Sequence, residues 1–268
     1  MTAGVTPVKS ILQRMKTRFS SKVLLAIQEQ DPDLARDAYE TTELLPKTET
    51  IQNLSTHNVV VDGFLIAGND SLTVCFDNGI PSILKVLSSA EHERMGLITE
   101  ISHPSIISFR IIEARGRTFC IMPLLPITLE QFCGINELIA LKLLQQMREA
   151  LAYLHSKNLA HMDIKPANIC INHSGDFILI DLGSLQRFGA KSSSTLAFLP
   201  HQMNHNPAKA DTDWWMLAMT LYDRIQPFGK GVGVGAREKT LEELKHWFEQ
   251  SSFQSLWVEL KQLPIWNF

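Results

Sequence analysis

The chain is poor in the features that would send it to a membrane, an oxidising compartment or a nucleic acid. It has no run of about 18 consecutive apolar residues, so no spanning helix is expected. Four of its 268 residues are cysteine, at positions 75, 120, 133 and 170, with no metal-ligand or disulfide spacing among them. Three sit in apolar runs such as Thr118-Phe119-Cys120-Ile121-Met122, which predicts buried free thiols and a reducing compartment. Neither sign of charge dominates: 25 Lys and Arg against 28 Asp and Glu give a net charge of −3 and a pI near 6.3. The basic footprint of a nucleic-acid binder is missing, so no nucleic acid is expected as a partner. No internal repeat is visible.

What is present is a globular composition, 45% hydrophobic and 20% charged, long enough for one large domain or two lobes. The first 28 residues are the exception, since Lys9, Arg14, Lys16, Arg18 and Lys22 precede the first acid, Glu29. Val8, Ile11, Leu12, Met15 and Phe19 recur at helical spacing, which predicts a basic amphipathic helix. Three readings stay open for it: an extension lying on the domain, a transit peptide, or a contact through residues 8–22 with a membrane surface or a partner. Asp31-Pro32-Asp33 and the polar stretch 41–58 then read as turns and linker. The expected division is an extension and linker over 1–57, a small lobe over 58–126 and a larger lobe over 127–268.

Strand-like runs at 59–67, 71–76 and 81–87 are joined by Gly68-Asn69-Asp70 and by Asp77-Asn78-Gly79, the second a strong hairpin signal. A helix is predicted over 89–101, stopped at His103-Pro104, with further strands over 106–114 and 118–123. From Asn136 to Lys157, Leu138, Leu141, Leu144, Met147, Leu151 and Leu154 recur every three or four residues, which predicts a long buried helix. A hairpin over 169–180 and helices over 213–225 and 241–263 complete the pattern, an α+β chain with a sheet-rich part and a helical part.

Directly after the long helix stands His161-Met162-Asp163-Ile164-Lys165-Pro166-Ala167-Asn168, and the hairpin that follows ends in Asp181-Leu182-Gly183. In isolation, Asp-x-Lys is a common surface ion pair and Asn a common turn residue. Together, and in this order after a β-rich lobe and a long helix, they resemble the catalytic loop and metal-binding motif of protein kinases, over roughly residues 58–230. The resemblance implies the two-lobed kinase fold, with ATP and Mg²⁺ as cofactors and a protein as substrate. It also implies roles residue by residue. Asp163 would take the substrate hydroxyl's proton, Lys165 would neutralise the γ-phosphate, and Asn168 and Asp181 would ligate Mg²⁺. Lys85, in Ile83-Leu84-Lys85-Val86-Leu87, would hold the α- and β-phosphates, paired with Glu93 on the following helix or, failing that, Glu91 or Glu100. Met122 would back the adenine pocket, with Pro123, Leu124 and Leu125 as the hinge, and Gly68 would lie in the phosphate-covering loop. Asp213, in Asp213-Trp214-Trp215, would anchor the catalytic loop through the amides near His161 and Met162.

Three departures from that family are written in the chain. The phosphate-covering loop keeps one glycine in Ala67-Gly68-Asn69-Asp70-Ser71, which restricts close approach of backbone amides to a triphosphate. Met162 replaces the Arg that pairs with a phosphorylated activation loop, and Pro200-His201-Gln202 replaces the usual Ala-Pro-Glu. Arg237 is the one Arg after Arg224, and the shortened helical part is similar to that of minimal kinases among bacterial secreted effectors. The expectation is an atypical, compact Ser/Thr protein kinase independent of phosphorylation at Ser192, Ser193, Ser194 or Thr195, with an activating partner as an open role. Alternatives are a pseudokinase or allosteric module and a small-molecule kinase. A cytoplasmic location is expected, with a mitochondrial or a secreted-effector location as alternatives.

Overall fold

The computed structural model describes residues 57–65, 72–114, 116–132, 135–191, 198–199, 207–225 and 240–267. Residues 8–22, for which a basic helix is expected, Gly68, Cys133, Ser192 to Thr195, and Pro200-His201-Gln202 lie outside them. The chain divides into two compact units. One extends to Met95 and resumes over Ser108–Ile127; the other comprises Gly96–Ile107 and Thr128–Phe268.

The first unit is an antiparallel sheet of Val59–Leu65 (β1), Leu72–Asp77 (β2), Ile80–Val86 (β3), Arg110–Ala114 (β4) and Arg117–Pro123 (β5), in the order β1-β2-β3-β5-β4. Asn78 and Gly79 turn β2 into β3 with positive φ values, 50° and 79°, as a two-residue hairpin of primed type requires. Alternation along the strands assigns the faces. Cys75, Leu84, Ile112, Ala114, Phe119 and Ile121 pack with Val59 into one buried cluster, while Ile83, Lys85, Cys120 and Met122 point to the other side. Arg110 of β4 donates to the Asp77 carboxylate and, at 3.2 Å, to the His57 carbonyl, fastening an outer strand to the far end of the sheet. Burial, with Asp77 nearby, pushes the Cys75 thiol up to about 12, and Arg110 opposes that in part. Cys75, Cys120 and Cys170 are all buried.

The helix predicted over 89–101 is two short pieces, Ser89–Glu93 (α1) and Met95–Ile98 (α2). Arg94 ends α1 by turning its N–H back to the Glu91 and His92 carbonyls, and Gly96 weakens any continuation. Farther along, the Tyr153 hydroxyl accepts from the Ser102 amide at 2.9 Å and donates to the Glu100 carbonyl, taking groups a helix would need. Strand β4 is likewise shorter than predicted, because residues 105–107 find another partner: the Leu179 amide donates to Ser105, and Ile107 donates to Leu179.

The second unit is built on Glu137–Ser156 (α3) and Ala210–Ile225 (α4). Asn136 caps α3 by accepting from the Ile139 amide, and Ala140, Leu143, Leu144, Met147, Ala150, Leu151 and Leu154 form its buried stripe. Leu138, expected on that stripe, lies off it in the first turn and is 77% exposed. Helix α4 is buried almost all round, as a central helix must be. Small strands lie beside these helices: Ile127–Thr128 (β6), Leu159–Ala160 (β7), Ile169–Ile171 (β8), Phe177–Leu179 (β9) and Gln186–Arg187 (β10), arranged as β6-β8-β9 and β10-β7.

The single helix predicted over 241–263 is Leu241–Gln250 (α5) and Gln254–Leu260 (α6). Glu137 of α3 explains the break, because its carboxylate accepts from the Ser255 and Leu256 amides at 2.6 and 3.3 Å and caps α6 from outside. A chain of ring contacts through Tyr222, Trp247, Phe248, Trp257 and Trp266 binds these last elements to α4. No helix among the described residues is long and apolar enough to cross a membrane.

Candidate active site

In the second unit, the loop from His161 to Asn168 hangs from the buried start of α4. Asp213 is fully buried, and its two carboxylate oxygens accept from the His161 and Met162 amides, both at 2.8 Å. His155, in the last turn of α3, reaches the same carboxylate with Nε2 at 2.9 Å. Sequence reasoning placed Asp213 but missed His155, for which no local pattern exists: the last turn of α3 meets α4 only in the fold. Such a carboxylate is satisfied on both oxygens, which makes a buried charge tolerable.

This suspension holds a strained backbone. Met162 has φ of 65° and Asp181 φ of 59°, left-handed values that cost a non-glycine residue on the order of 1–3 kcal/mol. Both are found where the chemistry is expected. Met162 is itself buried and packs with Ala160 and Ala208 in an apolar cluster.

The loop brings the expected residues together. Lys165 Nζ lies 2.8 Å from Asp163 Oδ2, and Asn168 Nδ2 donates to the same oxygen at 2.8 Å and to the Asp163 carbonyl at 2.9 Å. Asp163 and Asn168 are buried, at 7% and 6% exposure, so the pair is more than a solvated surface bridge. The hairpin β8/β9 then links Asn168 to Asp181: the Ile180 amide donates to the Asn168 carbonyl at 2.9 Å, and His161 Nε2 is 3.2 Å from the Ile180 carbonyl. Asp181 follows directly, its Oδ1 accepting from Gly183. Asn168 spends its amide nitrogen on Asp163 and keeps an oxygen, and Asp181 adds a carboxylate. Those are hard oxygen donors of the kind Mg²⁺ takes, usually one or two protein groups alongside phosphates and water.

In the first unit, Lys85 is partly buried on β3 and its Nζ is 2.6 Å from Glu91 Oε1. This corrects the expectation of Glu93, which is exposed. The short α1 is capped by Ser88 and begins at Ser89, so its third residue, Glu91, and not its fifth, Glu93, faces back to the strand. The signal was present in the sequence as Ser88-x-x-Glu91, a capping-box pattern that fixes where the helix starts. Burial pushes the Glu91 carboxyl up, but hydrogen bonds from Lys85 and Ser88 and the Lys85 charge outweigh it and hold it below the ordinary range. We expect Glu91→Gln to weaken ATP binding about tenfold, the scale of a lost charge-assisted bond, and Glu93→Gln to leave it within about twofold, both read by titration with nucleotide. Equal effects from the two would overturn the assignment. Met122 is half-buried on β5 opposite Ile83, and the Leu124 amide donates to the Pro81 carbonyl at 3.2 Å, with Leu125 next in the chain.

Comparison with known proteins places this geometry. Residues 85–260, more than half of the chain, match the family model described as protein kinase domain. The match begins at Lys85, after the glycine-poor stretch Ala67 to Ser71. The chain is 30% identical over 142 residues to serine/threonine-protein kinase dkf-2 of Caenorhabditis briggsae, covering 47% of this chain and 12% of that one. It is 24% identical over 201 residues to myosin light chain kinase 3 of Danio rerio, covering 67% and 28%, and 31% identical over 87 residues to serine/threonine-protein kinase Sgk1 of Homo sapiens, covering 30% and 20%. It thus spans less than a third of the length of each of these relatives. Among solved structures, the yeast RNA Pol II CTD kinase CTDK-1 complex contains a chain with a TM-score of 0.52 and 17% identity, with 59% of each chain covered.

Proposed function

This chain belongs to the protein kinase family, and from that premise we propose that it transfers the γ-phosphate of ATP to Ser or Thr hydroxyls of a protein substrate. The observation that carries the proposal is the buried Asp163 carboxylate, held by Lys165 and Asn168 in a loop suspended from Asp213. A carboxylate so fixed can orient the acceptor hydroxyl and take its proton as the oxygen attacks the γ-phosphorus and ADP leaves. Lys165, with a Pro after it, offers a cation to the equatorial oxygens of the transferring group, and Lys85 would hold the α- and β-phosphates. Asn168 and Asp181 would hold Mg²⁺, which when bound neutralises charge on the β- and γ-phosphates. Leu125 would meet the adenine through its backbone.

The names of the relatives, two of them serine/threonine-protein kinases, support the choice of acceptor. Labelled ATP with Mg²⁺ and a panel of protein acceptors, followed by phosphoamino-acid analysis, tests it. Phosphoserine or phosphothreonine is the expected product; no transfer, together with no thermal shift on adding nucleotide, would remove the enzyme reading. The glycine-poor sequence Ala67 to Ser71 favours the second reading, a pseudokinase or allosteric binding module with weak nucleotide binding, which predicts no transfer but a small thermal shift at high nucleotide concentration.

We also propose activity without a phosphorylated activation loop, supported by the apolar seat of Met162. Phosphatase-treated protein should keep its specific activity within about twofold, whereas an Arg-gated site would lose far more. Collapse on dephosphorylation with recovery on rephosphorylation of Ser192 to Thr195 would refute this.

A further inference from the structure

Glu91 divides its carboxylate between two partners. Oε1 takes Lys85 at 2.6 Å, and Oε2 accepts from the Ser88 amide at 2.9 Å and from the Ser88 hydroxyl at 2.8 Å. The Ser88 hydroxyl in turn accepts from the Glu91 amide at 3.3 Å. Lys85, Ser88 and Glu91 stand three residues apart across the junction of β3 and α1, so one side chain joins the strand lysine to the start of the helix.

The helix has no independent means of holding Glu91 there. At five residues, α1 is far below the length at which a helix sustains itself, and its register depends on its ends. One end is held by the Ser88 box and the other by His92, whose Nδ1 is 2.9 Å from the Thr118 hydroxyl of β5. α1 stops at Arg94 and the next helix, α2, has only four residues, so among the described residues no long helix continues from Glu91.

We propose that Ser88 is a positioning residue for nucleotide binding: its hydroxyl fixes the Glu91 rotamer, and through it the ammonium of Lys85. The proposal rests on the kinase reading for what Lys85 binds, but not for the geometry. Without the hydroxyl, the Glu91 carboxylate keeps its bond from the Ser88 amide but loses the one from the hydroxyl, the Glu91 amide loses its acceptor, and Lys85 parts from Glu91 a larger part of the time.

The experiment acylates the folded full-length chain with a limiting amine-reactive ester and reads modification of Lys85 by mass spectrometry, in parallel with the Kd for ATP and Mg²⁺. Ser88→Ala should raise Lys85 labelling and the ATP Kd about fivefold, the equivalent of an N-cap worth about 1 kcal/mol. Ser88→Thr, which keeps the hydroxyl, should return both to within about twofold of the original protein, and Glu91→Gln sets the upper limit. The Thr rescue also separates positioning from a general loss of folding. Wild-type labelling in Ser88→Ala alongside raised labelling in Glu91→Gln would overturn the proposal, and so would raised labelling with an unchanged ATP Kd. If the chain transfers no phosphate at all, the labelling still reads the Ser88 to Lys85 coupling, so failure of the kinase reading is distinguishable from failure of this one.

Discussion

Asp163→Ala should lower kcat for the proposed phosphoryl transfer by about 10²–10⁴-fold, the usual worth of a positioned general base. Because the carboxylate acts when the hydroxyl proton moves, kcat and kcat/KM should fall together, while the affinity for ATP changes little. Asp163→Asn is the sharper variant. It keeps the volume of a residue that is 7% exposed and leaves an oxygen able to accept from Lys165 or Asn168, yet it has no basic carboxylate. Steady-state kinetics against a phosphorylated protein product check both. Retention of more than about a tenth of wild-type kcat by Asp163→Asn would remove Asp163 from the role of base.

Asp213 should show the largest combined loss of stability and activity. Its fully buried side chain accepts two backbone amides and lies against His155. Asp213→Ala leaves two buried N–H groups without acceptors, each costing about 1–3 kcal/mol, so about 4 kcal/mol is expected in all. For a chain of this size that corresponds to a fall in Tm on the order of 10 °C. Asp213→Asn should be nearly as damaging, since each oxygen of the aspartate accepts one amide and the asparagine must turn an NH₂ toward one of the two donors. The activity loss has its own route, because the same two bonds hold Met162 at a φ of 65°. Released, the backbone relaxes and Asp163, the next residue, moves with it. Calorimetry and kinetics on Asp213→Asn decide the matter: wild-type Tm with wild-type kcat would show that the suspension carries neither function.

Much of the site was legible before any coordinates, because its parts are local. Asp163, Lys165 and Asn168 lie within one loop of the chain, and a hairpin of fixed length carries Asp181 back to Asn168, so spacing alone brings them together. The Asn78-Gly79 turn and the Asn136 cap were equally readable, since each depends on the residues within a turn of itself. Glu91 was legible in principle through Ser88-x-x-Glu91 and was mistaken for Glu93 because apolar spacing was weighed above the cap. The helix over 89–101 and the helix over 241–263 failed for a different reason. Each carries a helical pattern, but groups remote in sequence claim backbone atoms: the Tyr153 hydroxyl takes Glu100 and Ser102 just past α2, and the Glu137 carboxylate takes the first amides of α6.

The sequence by itself determined which residues can do the chemistry: the order and spacing of Lys85, Asp163, Lys165, Asn168, Asp181 and Asp213 are covalent facts, as is the loss of glycines at Ala67 to Ser71. Tertiary structure alone decided how they are held. It chose Glu91 for Lys85, brought His155 to Asp213 and placed Met162 in a left-handed backbone within an apolar seat. Spacing constrains what lies within a few residues, whereas burial and the satisfaction of polar groups are settled among neighbours in space.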